Sequence, residues 1–466
     1  MRRRFTIQKT QTFDSSNYLT IEALEDNLTV TFTKDIEYGI DGKRWITLNA
    51  GNETRPINIG QTLSFRGELT PNKSEGIGTF TINKKCNLKG NCMSMLFGDN
   101  AANSYSLSGK SYAFYKLFQG CSNIVNVDSN FLPATTLATY CYYYMFNDCN
   151  ILTTAPKLPA TTLATYCYGY MFRGCSRLTT APKLPATKLA NYCYYAMFQA
   201  CSSLTTAPEL PATTLATYCC NSMFRGCSRL TTAPELPATA LTTYCYEYMF
   251  GGCSRLTTAP KLPATKLANY CYSHMFERCS SLTTASKLPA ATLATHCYYG
   301  MFSRCKSLVN APELPATTLA EFCYFTMFQD CSSLTTAPEL PATTLESSCY
   351  NSMFENCSSL TTAPELPAKY IVSNCYSYMF RGCSSLTTAP ELPAKALAYQ
   401  CYKYMFNGCN KLNYIKMLAT GISATDCLKD WTYGVASTGT FVKNAAMTSL
   451  PTGKSGIPSG WTVQNA

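Results

Sequence analysis

A Met-Phe pair recurs every 26 residues along most of this chain. Its methionine falls at 145, 171, 197, 223, 249, 275, 301, 327, 353, 379 and 405 without a break in phase. A weaker copy, Leu117-Phe118, stands 28 residues ahead of the first. A fixed period of this size means that each copy buries its apolar residues mainly against the copies before and after it, which is the signature of a solenoid.

Within one copy, placing Leu163 to Cys175 at about 100° per residue puts Leu163, Ala164, Cys167, Tyr168, Met171, Phe172 and Cys175 on one face. Thr165, Tyr166, Gly169 and Arg173 fall on the other. The spacing predicts a helix of about three turns, too short to stand alone. Thr161 and Thr162 are candidate N-caps, and Gly174 is a candidate left-handed stop. Equivalent stops are Gly226, Gly252, Gly382 and Gly408, with Asp148, Asp330 and Asn356 in other copies; Ala200, Arg278 and Arg304 break the pattern. The run Leu178-Thr-Thr-Ala-Pro-Lys-Leu-Pro185 that follows reads as a short extended segment, since its prolines cannot donate within a sheet. One strand and one helix per 26 residues gives an α+β leucine-rich-repeat solenoid. About twelve such units at roughly 4.8 Å each would span roughly 55 Å.

The run Cys-Ser-Ser-Leu-Thr-Thr-Ala-Pro-Glu-Leu-Pro, followed by an aromatic segment ending in Met-Phe-x-x-Cys, resembles the BspA-like leucine-rich repeat family. Cys201-Ser-Ser-Leu204, Cys331-Ser-Ser-Leu334 and Cys383-Ser-Ser-Leu386 carry the likeness, which covers residues 117 to 415. The resemblance implies a bacterial surface adhesin or a tail or accessory protein of a phage.

Residues 1–85 read as a β-rich module. Leu28-Thr-Val-Thr-Phe-Thr33 alternates as a half-buried strand does, and Tyr18–Glu22, Ile36–Ile40, Thr62–Phe65 and Gly78–Ile82 are similar. A small β-sandwich is expected, serving either as an attachment module or as an N-terminal cap. Residues 86–116 read as a transition into the solenoid of 117–409, and 410–466 as a C-terminal cap holding Trp431 and Trp461. Those tryptophans fit cap packing better than a binding platform. Met1-Arg-Arg-Arg4 has no apolar leader behind it, which weighs toward a virion component over an exported adhesin. No later stretch is apolar enough to span a membrane.

Charged residues make up only 14% of the chain, and its net charge of +11 is thinly spread, so nucleic acid is not an expected partner. Of 27 cysteines, 22 lie four before or four after a repeat methionine. Eight residues apart on a helix, the two of one copy cannot bridge, so buried small fillers are the expectation, with disulfides between copies as the alternative. Neither a cofactor nor a metal site is implied: the cysteines lack paired C-x-x-C spacing and only two histidines exist. The same scarcity of bases argues against an enzyme.

Differences between copies concentrate in the two residues before Met and the two after Phe. Candidate ligand-binding residues are therefore Tyr143, Tyr144, Tyr170, Arg173, Tyr195, Arg225, Tyr248, His274, Tyr299, Phe325, Tyr378, Arg381 and Tyr404. Exposed positions drift when little depends on them. A row rich in Tyr, Arg, Ser and Asn on a rigid scaffold is also how antibody paratopes are built. The expected function is non-enzymatic recognition of a host or bacterial cell-surface protein or polysaccharide, at a cell surface or on a virion. The alternative is a structural spacer without a ligand.

Overall fold

The computed structural model describes residues 13 to 466. The reading of the first four residues as lacking a leader lies outside them. The chain forms two compact units, Met1–Lys188 with Ala196–Glu209 and Leu189–Tyr195 with Leu210–Ala466.

In the N-terminal unit, seven strands precede the repeats: β1 (Leu19–Ala23), β2 (Val30–Phe32), β3 (Ile36–Ile40), β4 (Ile46–Leu48), β5 (Thr62–Arg66), β6 (Phe80–Ile82) and β7 (Cys86–Gly90). A single α-helical turn, α1 (Ser94–Phe97), and β8 (Ile124–Val127) follow. The main sheet has the order β4-β3-β5-β1-β7-β8, while β2 and β6 pair separately. Its last strand belongs to the first repeat and joins β7 in parallel. The β-module thus shares a sheet with the repeats instead of closing as a separate sandwich. Phe80 of β6 lies 5.2 Å from Phe118 and nearly parallel to it, and the Cys121 thiol donates to the Phe80 carbonyl at 3.1 Å. This packing sets Phe80 at the head of the ring column that continues through Phe118 and Phe146.

The repeats contain no helix. Among the described residues α1 is the only α-helical segment, so the strand–helix unit is corrected to a run of tight turns. Hydrogen bonding alternates along each run. The N–H groups of Cys141, Tyr143, Met145, Asn147 and Cys149 bond to the carbonyl three residues back, at 3.1–3.3 Å. Those of Tyr140, Tyr142, Tyr144, Phe146 and Asp148 bond instead to Thr165, Cys167, Gly169, Met171 and Arg173 of the next repeat, at 2.7–3.1 Å. An α-helix would have turned every one of these donors inward. It would also be about 10–12 Å across, too wide to stack at the ring spacings seen here.

Alternation is possible because every fourth residue is left-handed. Tyr140, Tyr144 and Asp148 have φ of 59°, 60° and 60°, and the same three positions recur through both units. The stop expected at Gly174 is left-handed as read, with φ 76°, but it ends a turn run. A left-handed L-residue costs roughly 1–2 kcal/mol, offset here by the bond to the next repeat. Ala200 sits at that position with φ 62° and an exposed side chain. Ala200→Gly is therefore expected to stabilise the fold by about 0.5–1 kcal/mol in urea melts, the left-handed penalty less glycine's greater unfolded freedom.

The Thr-Thr-Ala-Pro-x-Leu-Pro segments meet through single-residue parallel bridges, such as Thr180 with Thr206 in the N-terminal unit and Thr336 with Thr362 in the C-terminal one. Two prolines per segment remove donors and keep longer ladders from forming.

Identical side chains pile into columns inside. Phe118, Phe146, Phe172 and Phe198 stack at 5.6–5.7 Å in the N-terminal unit. In the C-terminal unit, the phenylalanines from Phe224 to Phe406 do so at 5.6–5.8 Å. All 27 cysteines are buried and unbridged, and burial raises the Cys141 thiol pKa to about 12. The second cysteine of each copy does more than fill space. Cys175 donates its S–H to the Phe146 carbonyl at 3.1 Å, and Cys305 does the same to Phe276. That carbonyl is otherwise bonded only within its own turn, so the thiol supplies an additional link between neighbours.

At the C-terminal end, β9 (Tyr414–Met417), β10 (Thr440–Lys443) and β11 (Thr462–Asn465) form a parallel sheet. The turn run also continues past its recognisable sequence. Asp426, Asp430 and Gly434 are left-handed in the repeat's phase, and Trp431 stands where a methionine is due. Trp431 is fully buried and donates to the Gly456 carbonyl at 2.9 Å; Trp461 donates to Ala436 at 2.7 Å. Both serve packing, as expected of a cap.

Candidate recognition surface

The residues that differ between copies lie at the left-handed position before Met and at the residues beside it. Because the equivalent residue of the next turn lies one layer away, these side chains meet one another as columns. Each expected residue can be placed by that rule.

In the N-terminal unit, Tyr144 stacks on Tyr170 with ring centroids 4.6 Å apart and 12° between planes. Tyr143 meets both edge-on, at 4.5 and 5.6 Å. The Arg173 guanidinium lies 5.8 Å from the Tyr170 ring. Residues not singled out beforehand complete the patch. Tyr112, Tyr140 and Tyr166 stack at 4.7 and 4.5 Å, Tyr115 packs against Tyr143, and Lys116 lies 5.0 Å from the Tyr115 ring. Desolvation in this cluster raises the Tyr143 pKa.

In the C-terminal unit, Arg225 covers the Tyr248 ring at 4.6 Å. Tyr248 stacks on His274 at 4.5 Å and 2°, and burial pushes its phenol up to about 12. His274 meets Tyr299 edge-on at 4.7 Å, and Tyr299 stacks on Phe325 at 5.0 Å. His274 Nδ1 lies 3.2 Å from Glu277 Oε2, and this contact holds the Glu277 carboxyl below its usual range. Gly300 makes room for the imidazole, since a Cβ there would sit 2.6 Å from the ring. The row is then interrupted by the small polar residues Asn351, Ser352 and Ser377. It resumes with Tyr378 on Tyr404 at 4.9 Å, flanked by Arg381, which pairs with Glu355 at 3.0 Å. Tyr195 packs edge-on against Tyr192 and Tyr218.

The candidates are brought together in patches, and most are half-buried, where an outward helical face would have exposed them. The column five residues before Met was not among the candidates; it is Tyr in the first six copies, then His296, Phe322, Ser348, Asn374 and Gln400. Tyr192, Tyr218, Tyr244, Tyr270, His296 and Phe322 stack at 4.3–4.6 Å. Burial lowers the His296 pKa. The unbroken run of rings at that position from Tyr140 to Phe322 was itself the available signal, for a column needs like rings.

Stacking occupies ring faces, so the columns present ring edges, hydroxyls and flanking cations. Burial raises the phenol pKa of Tyr143, Tyr218, Tyr248, Tyr299 and Tyr378, which keeps those hydroxyls neutral and able both to donate and to accept. Among the described residues no group of three or more His, Cys, Asp or Glu is placed to hold a metal ion, and no helix is long and apolar enough to cross a membrane.

A family profile described as the BspA type leucine rich repeat region matches residues 110–208, 192–335 and 302–426 in six copies. The chain belongs to the BspA-type leucine-rich repeat family. The match covers the turn runs described above as far as Asp426. No curated protein matches the chain. Among solved structures, the crystal structure of a TLR13–ssRNA13 complex matches 73% of this chain and 47% of that one, at 13% identity and a TM-score of 0.25. This chain therefore spans about half of that protein, and so slight a likeness supports no inference from it.

Proposed function

We propose that this BspA-type chain is a non-enzymatic recognition protein, displayed at a bacterial surface or on a phage tail, that binds a cell-surface protein or polysaccharide through its tyrosine columns. Leucine-rich repeats are protein-interaction modules, which supports a binding role. The observation that carries the reading is where variation falls. In otherwise similar turns, the residues that change gather in patches within each unit and are Tyr, Arg, His, Asn and Ser. Tyrosine and arginine dominate binding hot spots, and rigid rings lose little entropy on contact.

The stacking determines how to test it. Truncating these tyrosines to alanine would loosen the columns and confuse binding with stability. Replacing Tyr143, Tyr144 and Tyr170 together by Phe keeps the rings and removes the hydroxyls. On an array of glycans and extracellular-matrix proteins, the triple variant is expected to lose about tenfold or more of the wild-type affinity, with an unchanged melting curve. Binding by the variant equal to wild type would remove the hydroxyl row as the contact.

A second reading, a spacer whose length follows copy number, draws on the occupied ring faces, which serve the stack itself. It gains if neither protein binds anything while loss of whole repeats alters function.

A further inference from the structure

The Pro-x-Leu-Pro segments form a different part of each turn from the tyrosine columns, and their charges are ordered. In the C-terminal unit, the segments at 312–315, 338–341 and 364–367 and the turn after them enclose three hollows of 440, 580 and 310 Å³. The first two share Pro338 and Pro341 as walls, and the last two share Glu365 and Pro367, so the hollows form one trough. Its sides are proline, leucine and alanine. Its rim carries the exposed Glu313, Glu339 and Glu365, none of which has an ion-pair partner among the described residues. Glu391, at the end, is paired with Lys416 at 2.8 Å.

The same position in the N-terminal unit is basic. Lys157 and Lys183 occupy it one turn apart, both exposed and in no ion pair among the described residues. Because one hydrogen-bonded repeat sets both spacings, two lysines a turn apart match two glutamates a turn apart.

We propose that the occupant of the trough is a second copy of this chain, whose Lys157 and Lys183 face Glu339 and Glu313. The exposed Pro315, Pro341 and Pro367 of the trough walls supply contact area, and the charges select the partner, which is the usual division of labour at an interface. Such rim charges are screened by salt, so association should weaken as ionic strength rises.

Sedimentation velocity on the full chain at about 50 mM and about 500 mM salt is the test, since the Debye length falls severalfold over that range. The wild type is expected to dimerise at low salt and to dissociate at high salt. K157E/K183E and E313K/E339K should each weaken self-association about tenfold or more, because each turns attraction into repulsion. All four positions are exposed, so both variants should melt as the wild type does. Mixing them in equal amounts should restore a dimer, because each reversed strip then meets a reversed trough. A monomeric wild type at low salt overturns the proposal. So does a dimer indifferent to the reversals, or a mixture that stays dissociated.

Discussion

Trp431→Ala is expected to destabilise the C-terminal end of the chain by about 3–5 kcal/mol, the range for removing a fully buried large aromatic. Trp431 packs on Tyr402 and Phe406 on one side and on Phe441 on the other, at 6.0–6.4 Å. Its carbonyl accepts from Phe406 N–H, and its indole nitrogen donates to Gly456. Losing it opens the last turns and exposes the ring columns of the C-terminal unit. In an array held by nearest-neighbour contacts, the damage should start there and spread inward. Hydrogen exchange would show amides of 390–466 losing protection before those of 240–330. Trp431→Met, which restores the residue usual at this position, should cost less, about 1–2 kcal/mol. Equal losses across the whole chain would show that the turns melt as one cooperative body.

The second large effect concerns phase. Deleting residues 276–301 joins Met275 to Phe302 and removes one complete copy. Every remaining donor keeps an acceptor of the same kind, and every ring keeps a like ring. The shortened chain should fold, with a melting temperature within a few degrees of wild type. Deleting 276–300, one residue fewer, shifts the junction by a single position. N–H groups that bonded within a turn would then face the neighbour, those that bonded the neighbour would face inward, and the Met, Phe and Cys columns would be broken at the seam. Orphaned buried amides cost about 1–3 kcal/mol each, so several together exceed the stability of an ordinary domain. Circular dichroism and gel filtration of the two deletions would separate a folded product from an aggregated one. A folded 25-residue deletion would mean that the alternation is not what specifies the stack.

Much of this architecture is readable from the 26-residue phase, which identifies the family, the columns and the inward residues. The left-handed positions are partly readable too, because residues such as Gly174, Asp148 and Asn356 advertise one of the three in most copies. What misleads is the apolar face of Leu163 to Cys175. Seven inward residues in thirteen fit a short helix and a chain of tight turns equally well, since both bring back every third or fourth residue. The deciding fact is non-local: every second N–H has a partner 25 residues away. Tyr140 and Tyr144 add to the difficulty, because nothing about tyrosine announces a positive φ. Trp431 reads as cap packing, but its place in the repeat phase is hidden for a simpler reason. It continues the arithmetic of the methionines while sharing none of their chemistry. The candidate surface was legible as a set of positions, but its half-burial was not, because an outward helical face implies exposure that stacked columns do not allow.

The ladder of thiol-to-carbonyl contacts has a practical corollary. Each sulfur is sealed from solvent and released only when its own turn parts from the next. The rate at which an alkylating reagent captures a given cysteine therefore measures how often that one seam opens. With two sulfurs in nearly every copy, the chain carries a set of internal clocks spaced along its length, read by mass spectrometry without adding a single probe.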